Sequence, residues 1–263
     1  MRTNAKLKAF YDGVYKKGER AHYTQFRLQT GDLPAEFSAV FALIDWEGKE
    51  VLDVGCGTGD MCALIAGAGA KRSVGIDFAE SAITEANKKY QAPNLTFICG
   101  DVADLEDRFD VVISNGTLEH MDDPLKTLRQ LKTMLKPGGS LIMTCPNWLN
   151  ARGYILQTLW HMFRAPITLA DIHYLGPVDF EGWARELEMD LEWSTVDCEW
   201  GSGMKMVKDL ERRLPNVARD AGWQTTKEQI DGFLQWIETK VVPFKDEGKH
   251  AGAAGVYHLK LRS

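Results

Sequence analysis

The sequence predicts an α/β fold in which seven strands form a doubly wound, mostly parallel sheet with helices on both faces. Three observations predict it. From Glu50 onward, short apolar runs alternate with helix-compatible stretches, the pattern of a parallel sheet with helical crossovers. Residues 109–114 contain the unbroken apolar run Val111-Val112-Ile113, as expected for a strand covered on both faces. The stretch VLDVGCGTGD, residues 51–60, joins a strand to a helix through a turn with glycine at every second position.

Each element follows in order. Residues 3–45 read as helical, interrupted at 31–34. Asp32 is placed to cap a helix with Pro34 at its first position and Glu36 in its first turn. Phe37, Val40, Phe41 and Ile44 then follow helical spacing. Ahead of them, Phe10, Tyr11, Tyr15, Tyr23 and Phe26 form an aromatic-rich segment suited to packing on a sheet edge. Strands are expected at 51–54, 73–76, 95–99, 109–114 and 140–144, and helices at 61–68, 81–90 and 122–136. The turn Pro137-Gly138-Gly139 ends the last of these helices. Residues 148–163 are helical, 167–177 irregular and 178–187 helical. Residues 191–196 form a sixth strand. Residues 201–247 are a helical insertion broken by Pro215, Gly222 and Pro243, and 255–262 alternate as a final strand. No repeat or low-complexity linker interrupts the chain, so one domain of 1–263 is expected. Its parts are a core over 46–147, a cap insertion over 148–190, and C-terminal strands over 191–263 that carry the second insertion.

The glycine turn is where chemistry is expected. It lets a ligand approach the backbone, with the amides of the following helix facing it. Asp53 sits inside the strand end, where a structural strand rarely places a charge. Asp77 closes the second strand, 24 positions after Asp53, and a carboxylate there is placed for both hydroxyls of a ribose.

VLDVGCGTGD followed by VGIDFAESAI resembles the class I S-adenosylmethionine-dependent methyltransferases. The spacing is G-x-G-x-G and not the G-x-G-x-x-G of a pyrophosphate-binding turn, and S-adenosylmethionine has no pyrophosphate to cradle. The resemblance implies a Rossmann-like sheet whose last strand runs antiparallel, and an N-terminal helical lid over residues 1–45. It also implies a cofactor set. The turn residues Gly55, Cys56, Gly57 and Gly59 would meet the methionine part, with Asp53 near its ammonium. Asp77 would take the ribose and Phe78 would pack on adenine. Asp101 and the Val102 amide would read adenine, with a helix cap after a strand as the secondary reading of Asp101. Asn115 would face the methyl group, its carbonyl open to the ammonium.

The segment FDVVISNGTLEHMDDP separates branches of the family. Enzymes that methylate base amines of DNA carry an Asn/Asp-Pro-Pro-aromatic tetrad where this chain has Ser114-Asn115-Gly116-Thr117. Glu119-His120 followed by Asp123-Pro124 is similar to the small-molecule branch that includes ubiquinone-biosynthesis O-methyltransferases. Some members of that branch bind a metal through an earlier Glu, and Gly116 stands at that position, so no metal is expected. His120 reads as a general base or as a turn histidine. His173, with Tyr174 as helper, is the other candidate base. His161 reads as a buried packing residue, and Cys145 is rejected as a nucleophile by its place after the fifth strand.

Composition bounds the partners. Of 263 residues, 44% are hydrophobic and 26% charged, and the formal charge is −6. An acidic total argues against a broad phosphate-binding face and so against nucleic acid. The five cysteines are odd in number, scattered, and form no CxxC pair, as in reduced cytoplasmic proteins. No stretch approaches the ~20 apolar residues that span a membrane. Seven of the eight tryptophans follow Asn147, which suggests an apolar pocket for a small-molecule substrate. The expected function is methyl transfer from S-adenosylmethionine to a small acceptor, oxygen before nitrogen. The rival readings are a non-catalytic cofactor-binding partner subunit and an RNA or protein methyltransferase. Oligomeric state, pathway and substrate identity are not readable.

Overall fold

The computed structural model describes residues 34–262, except 166, 169 and 170. Residues 1–33 of the expected lid over 1–45, Asp32 among them, therefore lie outside the described residues. Within them the chain begins at α1, Ala35–Phe41, with Pro34 as its cap residue. Trp46 then folds back, its indole N–H donating to the Phe41 carbonyl at 2.8 Å.

The alternation after Glu50 is built as expected. It runs β1 (Glu50–Val54), α2 (Asp60–Gly67), β2 (Arg72–Asp77), α3 (Glu80–Lys89), β3 (Leu95–Cys99) and β4 (Phe109–Asn115). It continues through α4 (Pro124–Thr133), β5 (Leu135–Pro146), α5 (Ala151–Phe163), α6 (Pro177–Glu186) and β6 (Met189–Val196). Three helices follow, α7 (Cys198–Ser202), α8 (Met204–Asp220) and α9 (Lys227–Trp236), before β7 (Ala254–Leu261). The seven strands form one sheet in the order β3-β2-β1-β4-β5-β7-β6. It is mostly parallel, with antiparallel last strands. Strand order reverses between β1 and β4, which pair in parallel through Val51↔Val111 and Asp53↔Ile113. The carboxyl ends of strands beside such a reversal are where open α/β sheets bind ligands.

Three expectations need correction. β5 starts at Leu135, before the Pro-Gly-Gly turn, because Phe109 already pairs with Leu135 and the register then shifts to Val111↔Ser140. The turn is an irregularity inside the pairing and not a boundary. α5 starts at Ala151 and not at 148, since the Asn150 side chain caps it by accepting from the Gly153 N–H at 2.8 Å. Pro215 lies inside α8 without ending it. Burial of Met206, Val207, Leu210, Val217 and Ala218 on one face offsets the roughly 3 kcal/mol of an internal proline. The helix ends where Gly222 adopts φ +71°, with the Trp223 N–H donating back to Ala218 O at 2.9 Å.

Two compact units divide the chain. The sheet unit contains residues up to 145, 179–192 and from 256 onward; the second unit contains 146–178 and 193–255. The segment expected as a cap thus divides at 178/179. The later part belongs with the sheet because Phe180 stacks on Tyr257 of β7, ring centroids 3.6 Å apart. The core of the sheet unit includes Leu52, Ile65, Ile113, Leu128 and Ile142, each fully buried. The second unit has its own core, in which Trp148, Leu156, Ile167, Met206, Leu210 and Ile237 pack together. A buried polar hub holds its first turn: Asn147 Nδ2 donates to His250 O and Gly252 O, both at 2.7 Å. Among the described residues no helix is long and apolar enough to cross a membrane.

Candidate functional site

The glycine turn between β1 and α2 is hung on the end of β2. Gly55 N–H and Cys56 N–H donate to Ile76 O at 2.8 and 3.2 Å. Gly55, Gly57 and Gly59 have φ of +76°, +53° and +82°, a left-handed backbone that only glycine adopts freely. Space adds to the requirement at two of them. A Cβ on Gly55 would lie 2.4 Å from Thr117 Oγ1, and one on Gly59 would lie 2.4 Å from the Phe97 ring. Gly57 differs in that its amide donates to Asp77 Oδ2 at 3.0 Å. Asp77 Oδ1 accepts from the Ala79 N–H at 2.8 Å, and the residue is 7% exposed. The two motifs that the sequence places 20 positions apart are therefore bonded to each other.

Below this turn Asp53 is nearly sealed, at 3% exposed. Its Oδ2 lies 3.5 Å from the Cys62 thiol, while Oδ1 has no hydrogen-bond partner. Burial, against the lowering Cys62 contact and helped by the nearby Asp77 charge, pushes its carboxyl up to about 7. On the neighbouring strand, Asn115 Oδ1 accepts from Thr144 Oγ1 at 3.4 Å and its backbone carbonyl accepts from Thr117 Oγ1 at 3.0 Å. Its Nδ2 is buried without a partner. The expectation had the Asn115 carbonyl facing the ammonium; both carbonyls carry these contacts, and the amide is the open end. An orphan carboxylate oxygen and an orphan amide donor at the ends of β1 and β4 fit the two charged ends of an amino acid. The methionine part of S-adenosylmethionine has that pair.

The remaining expected contacts are distributed as follows. Phe78, after Asp77, and Val102 are half-buried. Asp101 Oδ1 accepts from the Ala103 N–H at 2.9 Å and caps the short turn Val102–Asp104, leaving its other oxygen for a ligand. Glu119 and His120 are buried in the turn Leu118–His120, His120 at 7% exposed. Gly116 is exposed with φ +58° and carries no ligand atom of its own. His173 and Tyr174 belong to the second unit. His173 is half-buried, and its Nε2 is buried without a hydrogen-bond partner. Burial pushes the Tyr174 hydroxyl up although Thr168 hydrogen-bonds it, and its ring meets Trp148 edge-on at 5.2 Å. His161, expected to be a packing residue, is exposed on α5; the buried stripe of that helix is Gly153 and Leu156.

Three residues were not anticipated. Thr117 fills the space beside Gly55, and Thr144 Oγ1 accepts from the Gly116 N–H at 3.1 Å while holding Asn115. Asp60, the last residue of the glycine motif, is a clasp. It accepts from Thr58 Oγ1 at 2.8 Å and from Lys89 Nζ and Tyr90 OH, both at 2.6 Å. These bonds outweigh burial and hold its carboxyl below the usual range.

Asp53 gives a pH prediction. Its folded-state value is raised, so the proton is kept up to about pH 7. Stability tied to that proton is present below the ordinary carboxylate range and lost as pH rises through 7. A ligand ammonium needs the anion, so cofactor affinity should climb as pH rises from about 6 to 8 and then level, by at most about tenfold per unit on the rising limb. Calorimetry with S-adenosylhomocysteine across this range measures it. In Asp53→Asn the climb should vanish; an identical climb in that variant would assign it to another group.

The comparisons agree on one family. A family described as a methyltransferase domain matches residues 45–180. A ubiquinone biosynthesis O-methyltransferase of Coxiella burnetii is 33% identical over 161 residues, covering 58% of this chain and 68% of its own. A trans-aconitate 2-methyltransferase of Deinococcus radiodurans is 36% identical over 224 residues, 81% of this chain and 79% of its own. Among solved structures, an S-adenosylmethionine-dependent methyltransferase of Thermotoga maritima matches with a TM-score of 0.63 at 16% identity, over 97% of this chain and 99% of its own.

Proposed function

Because the chain belongs to the class I S-adenosylmethionine-dependent methyltransferases, we propose that it methylates an oxygen of a small-molecule acceptor. The observation that carries this reading is the bond from the Gly57 amide to Asp77, which presents turn and carboxylate together to one cofactor. The oxygen acceptor is supported by the O-methyltransferase relative, and the small acceptor by the net charge of −6.

When bound, S-adenosylmethionine supplies a methyl group on a sulfonium, open to in-line displacement. The chain must orient the partners and take up a proton. Asp77 would hold the ribose hydroxyls, Phe78 would pack on the adenine, and Asp101 and Val102 would read its edge. Asp53 and the Asn115 amide, each with an unpartnered atom, would hold the ends of the methionine part. The base is His173, with Tyr174 beside it in sequence. His120, buried in its turn, is the alternative base.

The test is turnover with methyl-labelled S-adenosylmethionine on a panel of phenols, hydroxy acids and amines, run before and after exhaustive chelation. Label in ester or ether products supports the reading, and label only in amines moves the acceptor to nitrogen. The rate should survive chelation, since Gly116 offers no carboxylate where metal-binding relatives have one. A rate that collapses and returns with magnesium would overturn the metal-free reading.

A further inference from the structure

Two thiols meet beneath the glycine turn, both within the sheet unit. Cys56 belongs to the turn and is half-buried, while Cys62 sits in α2 and is fully buried. Gly75 of β2 marks how close they come. Its backbone is not left-handed, so space and not φ requires glycine there. A Cβ on Gly75 would lie 2.8 Å from Cys56 Sγ, 2.9 Å from Cys62 Sγ and 2.8 Å from the Phe97 ring. The two sulfurs fill one small volume over β2 and share a hydrogen bond.

Their surroundings complete a reactive pair. The Cys62 contact lowers the Cys56 thiol, but burial and the Asp53 and Asp77 charges outweigh it and push the thiol up. Cys62 is pushed well up by Cys56, by burial and by Asp53. Both therefore rest as thiols, and reaction at Cys62 needs a base. Asp53 is that base: its Oδ2 lies 3.5 Å from Cys62 Sγ.

We propose that Cys56 and Cys62 are a thiol modification site, where a small-molecule disulfide drives an internal disulfide that loosens the cofactor turn. The effect on the cofactor rests on the methyl-transfer reading; formation of the bond does not. Cys56 attacks the reagent RS–SR, forming Cys56–S–SR, and RS⁻ leaves and takes the Cys56 proton. Cys62 passes its proton to Asp53 and attacks Cys56 Sγ. The second RS⁻ leaves and takes that proton. Two thiols are oxidised by two electrons, and RS–SR is reduced to two RSH. An S–S bond of about 2.05 Å draws Cys56 toward α2. Its neighbours Gly55 and Gly57, whose amides reach Ile76 O at 2.8 Å and Asp77 Oδ2 at 3.0 Å, are pulled with it. Asp53 loses its Cys62 donor in the same step.

The full chain is treated with 2-hydroxyethyl disulfide, alkylated and digested with trypsin, which leaves both cysteines in the peptide 50–71. That peptide should escape alkylation and lose two hydrogens, and dithiothreitol should restore it. Calorimetry on the oxidised protein should show S-adenosylhomocysteine affinity lower by about 5- to 150-fold, recovered on reduction. In a mixture of the reagent and its thiol, saturating S-adenosylhomocysteine should shift the equilibrium toward the reduced pair, by reciprocity. Cys99→Ser should respond like the wild type, since exposed Cys99 is not of the pair. Three results would overturn the proposal: alkylation of both cysteines in the treated peptide; an internal disulfide with unchanged affinity; or a loss of affinity that disappears in Cys99→Ser. Failure of the reduced wild type to bind S-adenosylhomocysteine would instead overturn the methyl-transfer reading, and the loosening of a cofactor turn with it.

Discussion

Gly57→Val should abolish cofactor binding while leaving the sheet folded. Gly57 has φ +53°, a conformation that costs a β-branched residue about 1–3 kcal/mol. Relief of that strain requires the turn to move, and the turn carries the amide that reaches Asp77 at 3.0 Å. The same side chain would project where the cofactor must approach the backbone. Strain, lost bond and lost space act together, so the expected loss exceeds a hundredfold, more than about 2.7 kcal/mol. Calorimetry with S-adenosylhomocysteine reads it, with a melting curve to show that the variant folds. Affinity within a few-fold of the wild type would mean that the cofactor does not lie against this turn.

His173→Ala should cut turnover by about 10²–10⁴-fold, the usual worth of a general base. The motive is its buried Nε2, which has no hydrogen-bond partner. A base needs a nitrogen that nothing in the resting protein has claimed, and a packing histidine would normally have satisfied it. Cofactor affinity should hold constant, since the ribose and adenine contacts lie on other residues. Equal losses in turnover and cofactor affinity would make His173 structural. A loss at His120 with none at His173 would move the base to the turn Leu118–His120.

The order of elements was legible because glycine placement and apolar runs are local signals. Asp77 could be read as a site residue from its position after the second strand. Its bond to Gly57 could not, since that depends on how β2 and the turn meet. Asp60 shows the same limit more sharply. Its partners Lys89 and Tyr90 lie 29 and 30 positions away, and nothing in the motif announces them. The Pro-Gly-Gly stretch reads as a terminator, yet pairing between Phe109 and Leu135 absorbs it into β5. Pro215 reads as a break, yet the buried face of α8 carries the helix through it. His161 was misread because one apolar neighbourhood in sequence does not say which face of a helix is covered. In each case tertiary packing outweighs a local preference. The orphan atoms of Asp53, Asn115 and His173 belong to the same class: the residue types are visible, but their lack of partners is not.

The central claim is that Asp77, fastened to the glycine turn, holds S-adenosylmethionine. The most direct measurement is calorimetric titration of S-adenosylhomocysteine into the wild type and Asp77→Ala. The wild type should bind, and the variant should bind more weakly by roughly 1.5–3 kcal/mol, the loss of a charge-assisted hydrogen-bond pair. Equal affinities, or no binding by the wild type, would contradict it.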